Sequence, residues 1–535
     1  MNEIRAEEKD KQDRNETSVV NIEIYIGVFF DGTNNNANNN KWYDWFKFTS
    51  SVEKDHALNN TIVLDKDRKI SNPAILSALF NPRESNIRDK YLHVYIEGSG
   101  ANGFQAQNLY LNSAINGIPL NGLGFGLGST GVVAKVSKAI KYIGESIETE
   151  ENNPNTNIDY IHFYIFGFSR GSACSRLFSY IIARSADCDN TAGLLDRENE
   201  FGKYLSEPYF KDGKVCFLET YKGKMSVDFL GIYDTVSAIG FLKEENDNVN
   251  KTRIAFLYNP DFWGNFHREN AKAYGLYSPT LSKVLSTCHI CALDEFRANF
   301  ALTDIGTIPA NGIELFIPGC HSDVGGGYIE DSKEEKKTLL KSIDKKSTRM
   351  CVSNPINSEI KWEELSINTL EKLGWIDDEK KELELENDDK IVIKHTPKPQ
   401  NQYSNIPLKF MYERAILKAP KLQKLFSDYP KYIYPIPNSN ILNKMWKKID
   451  SVKNKEGRFC YLFGNDYSSS DYKYIRQLYL HFTSTDKLHS LGDPGNPPGR
   501  KVEGEYTNIC RLVYRGDSND TNVHYMQDYD NMNMI

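Results

Sequence analysis

No window of this chain holds as many as about 18 consecutive apolar residues, so no membrane-spanning helix is expected. Positive charge is not in excess either: 65 Lys and Arg stand against 72 Asp and Glu. The resulting net charge of −7 supplies no long-range pull toward nucleic acid or anionic headgroups, so no nucleic-acid partner is expected. Nine cysteines, odd in number and scattered, do not make a disulfide framework, and the chain is expected to fold in a reducing compartment. Residues 1–18 are charged and lack an apolar core, so they read as a disordered lead and not as a cleavable signal. Internal repeats are missing as well, which sets aside solenoids and propellers.

What is present begins at Tyr160–Gly171, Y-I-H-F-Y-I-F-G-F-S-R-G. An apolar, aromatic run ends in Gly167-Phe168-Ser169-Arg170-Gly171, and the helix-compatible segment SACSRLFSYIIAR follows. Strand, G-x-S-x-G turn and helix in that order predict a nucleophile elbow with Ser169 at the corner. The flanking glycines are needed where a side chain would collide with the neighbouring strand or helix. The amide of Arg170, at the helix N-terminus, is one oxyanion donor. Further buried strands are expected at Val19–Phe30, Tyr91–Gly98, Met225–Asp234 and, as a last one, GIELFIPG before Cys320. Helices are expected over Val132–Ile147 and Pro407–Lys418. Apolar strands alternating with helices predict an α/β-hydrolase-like, mostly parallel sheet flanked by helices.

Strand ends supply partners for the serine. Asp234 closes LGIYDTV, and His321 follows a strand in PGCHSDVGGGY. In open α/β sheets the carboxyl ends of strands gather catalytic groups, and the order Ser…Asp…His is that of α/β-hydrolases. His321 would serve as the base and Asp234 as its orienting acid. Asp323 is an alternative acid, better placed to cap the loop than to reach the imidazole. The loop after the first strand, Phe29-Phe30-Asp31-Gly32-Thr33-Asn34, is expected to give a second oxyanion amide from Gly32 or Thr33. Alternatively, Asp31 and Asn34 only tie a tight turn. The chemistry needs no metal and no organic cofactor.

These blocks, FFDGTN, Gly167–Gly171, Tyr233–Val236 and His321–Gly327, together resemble the type VI secretion lipase effectors of the first G-x-S-x-G family and the wider bacterial α/β-hydrolase domain family around them. Ala292–Arg297 (ALDEFR) and Ile406-Pro407-Leu408 fit the same pattern. The resemblance implies a phospholipase A acting on membrane glycerophospholipids of rival bacteria, with Ser169, Asp234 and His321 as its triad. It further implies delivery on a type VI secretion spike protein, action in the target periplasm or at its membrane, and a cognate immunity protein in the producer.

Other motifs carry less. Gly126–Gly131 spells G-x-G-x-x-G without a clean strand before it or an isolated acid after it, so it reads as an apolar loop near the site, a lid or ordinary packing. Cys288-x-x-Cys291 around His289 lacks the second pair of a zinc site and reads as core cysteines at a helix start. Glu245–Asn250 and Asp187–Asn190 lack calcium-ligand spacing. The expected organisation is a lead over 1–18, a hydrolase core over 19–330, a charged insertion or cap over 331–400, and over 401–535 a helix completing the core plus an accessory region. Within the insertion, IKWEELSINTLEKLGWI reads as an amphipathic helix, and the tail DYDNMNMI as frayed. Two rival readings remain: an esterase for a soluble carbohydrate or small-molecule ester, and a non-catalytic module riding on the spike.

Overall fold

Strands that begin half-exposed and end buried on both sides organise this protein. The computed structural model describes residues 19–33, 35, 70–80, 85–99, 101, 131–186, 210–211, 214–237, 281–295, 300–327, 337–340, 374, 382–385, 391–395, 400–426, 440–462, 469–481, 499–502, 505–509, 512–514, 524–525 and 533–535. Strand β1 (Val20–Phe30) is buried from Ile24 onward, and β3 (Thr156–Phe168) over its last six residues. Both are rich in β-branched and aromatic residues, which suit a pleated surface covered on two faces. The principal sheet adds β2 (Asp89–Ile96), β4 (Met225–Tyr233), β5 (Thr287–Ala292), β6 (Gly312–Ile317), β7 (Gly457–Cys460) and β8 (Asn533–Met534). Its order is β8-β7-β6-β5-β4-β3-β1-β2, and every neighbouring pair is parallel.

Alternation along the strands sends side chains to two cores. Ile22, Ile24, Ile26 and Val28 of β1 meet α2 (Val132–Glu151) and α3 (Arg170–Ala186) on one face. Tyr25 and Phe29 meet the other layer, built from α1 (Asn72–Leu79), the short helix α4 (His321–Gly325), α5 (Asn405–Lys418), α6 (Asn440–Asp450) and α7 (Ser470–Tyr479). This is an α/β-hydrolase-like fold: a parallel sheet with helices on both faces. The strand order reverses between β1 and β3, and the carboxyl ends at such a switch point form a crevice.

Three sequence expectations are corrected. Gly312–Ile317 is not the last strand, because β7 pairs with β6 and the tail strand β8 with β7. The last three residues of the polar tail, 533–535, are therefore held, with the Ile535 amide 3.1 Å from the Cys460 carbonyl. Such short edge strands carry too few residues for a hydrophobic period to show. Cys288 and Cys291 lie in β5 and not at a helix start. The expected helix around IKWEELSINTLEKLGWI, Gly374 apart, and most of Gly117–Gly131 lie outside the described residues; 337–340, 382–385 and 391–395 form a small antiparallel sheet. Among the described residues no helix is long and apolar enough to cross a membrane.

Candidate active site

Ser169 sits between β3 and α3 with φ 62°, and it is buried. The turn is possible because its flanks are glycine. A Cβ on Gly167 would lie 2.3 Å from Ser175 Oγ and 2.5 Å from the Gly171 carbonyl oxygen. One on Gly171 would lie 2.3 Å from the Asp31 carbonyl oxygen and 2.5 Å from that of Phe30. These distances are below any real contact, so the backbones of the elbow and the β1 loop can approach this closely only with glycine at 171. Position 168 has a role of its own. The Phe168 ring presses on the bare faces of Gly32 and Gly325 and lies 4.5 Å, centroid to centroid, from the His321 ring.

Asp234 follows β4 with φ 45°; it and Ser169 are the non-glycine residues with positive φ among those described. Such backbone costs about 1–3 kcal/mol and persists only where surroundings over-determine it. Asp234 is fully buried, and each carboxylate oxygen has a partner. Oδ1 accepts the Ala292 amide at 2.8 Å, and Oδ2 lies 2.6 Å from His321 Nδ1. A carboxylate accepts, so Nδ1 carries the hydrogen and Nε2 is left as the basic nitrogen. Phe300 stands edge-on to the imidazole at 4.9 Å, opposite the role of Phe168 as a lateral wall. The structure thus brings Ser169, Asp234 and His321 to the carboxyl edge of one sheet and joins the last two directly.

The histidine loop is held from several elements. Asp294 Oδ2 accepts the Gly319 amide at 2.7 Å, and Glu295 Oε2 accepts that of His321 at 3.2 Å. The Tyr403 hydroxyl donates to the Pro318 carbonyl at 2.5 Å. Asp323 caps α4 by accepting the Cys320 amide at 2.9 Å and meets His481 Nδ1 at 2.6 Å. It holds the loop, and the carboxylate that meets His321 Nδ1 is that of Asp234.

On the β1 loop, Asp31 Oδ1 accepts the Gly32 amide at 2.7 Å and also the Ser71 hydroxyl, and the Tyr95 hydroxyl donates to Oδ2 at 2.5 Å. Burial pushes the Asp31 carboxyl up, against these hydrogen bonds. Of the two candidate amides, that of Gly32 is engaged by Asp31. Thr33 is tied to the elbow instead, its Oγ1 accepting from Arg170 Nε at 2.7 Å. Arg170 is the first residue of α3, where no carbonyl four residues back belongs to the helix. Asn34, Phe296, Arg297, Asp187–Asn190, Glu245–Asn250 and 126–130 lie outside the described residues.

The C-x-x-C pair cannot chelate one ion. Residues three apart on a strand face opposite sides, and Cys288 and Cys291 lie in different cores. Burial pushes the Cys288 thiol up to about 12. Potential ligand atoms of His289, Cys291 and Glu314 do lie within 4.8 Å of one another. Their lone pairs are taken, however: Glu314 Oε2 accepts from Arg458 Nε at 2.7 Å, and His289 Nε2 accepts the Thr235 amide at 3.2 Å. An adjacent guanidinium opposes a cation there, so the trio does not fit a metal. Sequence reasoning gave Phe168 and His289 no role beyond their places in G-x-S-x-G and C-x-x-C, and missed Phe300 and Glu314, which carry no motif.

Comparison with known proteins follows this geometry. Residues 25–348 match the family model described as T6SS, phospholipase effector Tle1-like, catalytic domain. Among solved structures, the Tle1 effector bound to the VgrG spike from the type 6 secretion system aligns over 93% of this chain and 94% of its own, at 19% identity and a TM-score of 0.49. An uncharacterized protein from Pseudomonas aeruginosa aligns over 60% of this chain and 43% of its own, at 19% identity and a TM-score of 0.25. No curated protein sequence matches the chain.

Proposed function

Because the chain belongs to the Tle1-like phospholipase effectors of the type VI secretion system, we propose that it is a serine phospholipase A using Ser169, His321 and Asp234. The observation that carries this reading is the 2.6 Å contact of buried Asp234 with His321 Nδ1, at the sheet edge where Ser169 turns. His321 Nε2 takes the Ser169 proton as Oγ attacks the acyl carbonyl of a glycerophospholipid. Negative charge on the carbonyl oxygen is received by the amides of Arg170 and Thr33, that of Gly32 being engaged elsewhere. His321 then protonates the departing lysophospholipid oxygen, leaving the fatty acid esterified to Ser169. Water, deprotonated by His321, releases the fatty acid and restores the hydroxyl. Asp234 stays ionised throughout and stabilises the imidazolium.

The biological setting is proposed with it: delivery on a spike protein, attack on a rival cell's membrane lipids from its periplasm, and an immunity protein guarding the producer. We also propose the division into a lead (1–18), a core (19–330), a cap or insertion (331–400) and a returning segment (401–535).

The test is fatty-acid release from phosphatidylethanolamine and phosphatidylglycerol vesicles by wild type and Ser169→Ala. Release by wild type that disappears in the variant is expected. Cleavage confined to short soluble esters would replace the lipid substrate with a soluble one, and equal release by both proteins would remove the serine mechanism.

A further inference from the structure

Three neighbouring strands each contribute one side chain to a buried row that ends on the turn of the acid. His289 on β5 is in register with Glu314 on β6, and Glu314 with Arg458 on β7, so all three face the same side of the sheet. His289 Nδ1 is 2.8 Å from Glu314 Oε1, and Arg458 Nε is 2.7 Å from Glu314 Oε2. At the other end, His289 Nε2 is 3.2 Å from both the amide nitrogen and Oγ1 of Thr235, the residue after Asp234. An amide only donates, so Nε2 must be the unprotonated nitrogen and Nδ1 must carry the hydrogen given to Glu314. The row therefore fixes one tautomer of a neutral imidazole. Burial raises Glu314, but Arg458 and His289 outweigh it and hold the carboxyl at about 2, so the acceptor is ionised.

The turn is gripped from other directions too. Thr303 donates its amide to the Thr235 carbonyl at 2.9 Å, and Val236 donates to the Ser169 carbonyl at 3.3 Å. Buried charge along the row is balanced: Arg458 also reaches Asp304 Oδ2 at 3.3 Å, and Arg176 of α3 donates to the carbonyls of Thr303 and Asp304. A row that served packing alone would have no need of an acceptor aimed at the one amide that follows a strained aspartate.

We propose that His289 and Glu314 are positioning residues for the triad, clamping Thr235 so that Asp234 keeps the left-handed backbone that aims its carboxylate at His321. The inference rests on the serine-hydrolase reading. Loss of the clamp lets the Asp234 turn relax, and a displacement near 1 Å at reacting groups costs on the order of a hundredfold in rate.

The test uses a fluorophosphonate, which reports the nucleophilicity of Ser169 without needing the natural substrate. Wild type, Ser169→Ala, His289→Leu and His289→Gln are compared in the full chain for the maximal rate of labelling and for the half-saturating probe concentration. His289→Leu should slow maximal labelling by on the order of ten- to a hundredfold at unchanged half-saturation. His289→Gln, whose amide oxygen can replace Nε2 as acceptor, should recover most of the rate. Labelling of His289→Leu at the wild-type rate, with Ser169→Ala unlabelled, would overturn the inference and leave the serine-hydrolase reading intact. A wild type that does not label would overturn both. Should His289→Leu not fold, nitrogen-15 spectra of wild-type histidines, assigned with His289→Gln, decide: a neutral Nδ1–H imidazole is expected, and an Nε2–H form or an imidazolium at His289 would overturn the clamp.

Discussion

Ser169 and Asp234 are tied together through one turn: the Ser169 amide donates at 3.0 Å to the carbonyl of Tyr233, just before Asp234, and the Ser169 carbonyl accepts from Val236, just beyond it. Both residues have left-handed backbone. The two residues, the proposed nucleophile and its proposed acid, thus share their strain, and neither can relax without moving the other.

That strain is measurable at Ser169. Ser169→Ala and Ser169→Gly both remove the hydroxyl, yet only the first keeps the cost of a Cβ at φ 62°. Relief of about 1–2 kcal/mol, less the extra unfolded-state freedom of glycine at about 0.5–1 kcal/mol, leaves Ser169→Gly the more stable of the two by about 1 kcal/mol. Urea midpoints of the two inactive variants check this; a Ser169→Gly midpoint below that of Ser169→Ala, by glycine's own cost of about 0.5–1 kcal/mol, would mean that the elbow stores no energy.

Gly171→Ala should be among the most damaging single-methyl changes in the protein. Its new carbon would meet carbonyl oxygens of Phe30 and Asp31, and backbone cannot rotate aside as a side chain can. A loss of about 1–3 kcal/mol is expected together with loss of esterase activity, because the same shift displaces Thr33. A variant with wild-type urea midpoint and turnover would refute the close approach of the two loops.

Much of this site was legible in the sequence, for reasons that differ by residue. Ser169 stands in a turn whose glycines are forced by contacts shorter than any Cβ allows, so geometry left a local mark. Asp234 and His321 were found as residues ending long apolar strands, a signal that survives because β4 and β6 are buried on both faces. The ALDEFR block fitted a family pattern without an explanation; Asp294 and Glu295 supply one by holding Gly319 and His321. His289 was noticed only inside a C-x-x-C decoy and Glu314 not at all, since their meaning lies in the register of β5 against β6, which one-dimensional spacing does not encode. The strands β7 and β8 were hidden for the same reason, being four and two residues long.

Thr33→Val should impair turnover more than binding. The hydroxyl it removes is the acceptor that ties the β1 loop to Arg170, and those two residues carry the proposed oxyanion amides. Oxyanion donors act on charge that exists only in the transition state, so kcat should fall by about tenfold or more while KM stays near wild type. Thr33→Ser, which keeps the oxygen, should retain most of the activity. Steady-state kinetics on a short-chain ester separate the cases, and a raised KM at unchanged kcat would contradict the role.

Acid stability should carry the signature of Glu314. Its carboxyl is lowered from 4.5 to about 2 in the folded chain, because Arg458 and His289 outweigh the burial that raises it. The unfolded chain therefore takes up that proton first as the pH drops. The stabilisation is fully present above pH 4.5 and is lost as the pH falls toward 2. Glu314→Gln lacks this titration, so the stability gap between it and wild type should narrow over that interval. Urea midpoints at pH 7, 5, 4 and 3 test the sign, and a gap that stays constant would show that Glu314 is not held low.

The ion pair of Asp294 with Arg476 links helix α7 to the loop before His321. Arg476 Nη2 lies 3.0 Å from Asp294 Oδ1, and both side chains are 1% exposed. Asp294 Oδ2 meanwhile accepts the Gly319 amide and the Tyr472 hydroxyl, so one carboxylate serves the helix and the loop before His321 together. Arg476→Met leaves that charge buried without its partner and should cost about 3–5 kcal/mol. Activity should fall with it, because the carboxylate that anchors the Gly319 loop is no longer held in place by the guanidinium. Adding Asp294→Leu to Arg476→Met removes the uncompensated charge, so stability should return in part. Activity should not return, since the Gly319 amide has now lost its acceptor outright. Parallel measurement of urea midpoints and ester turnover in the three proteins tests this separation. Recovery of both in the double variant would show that the pair serves stability alone.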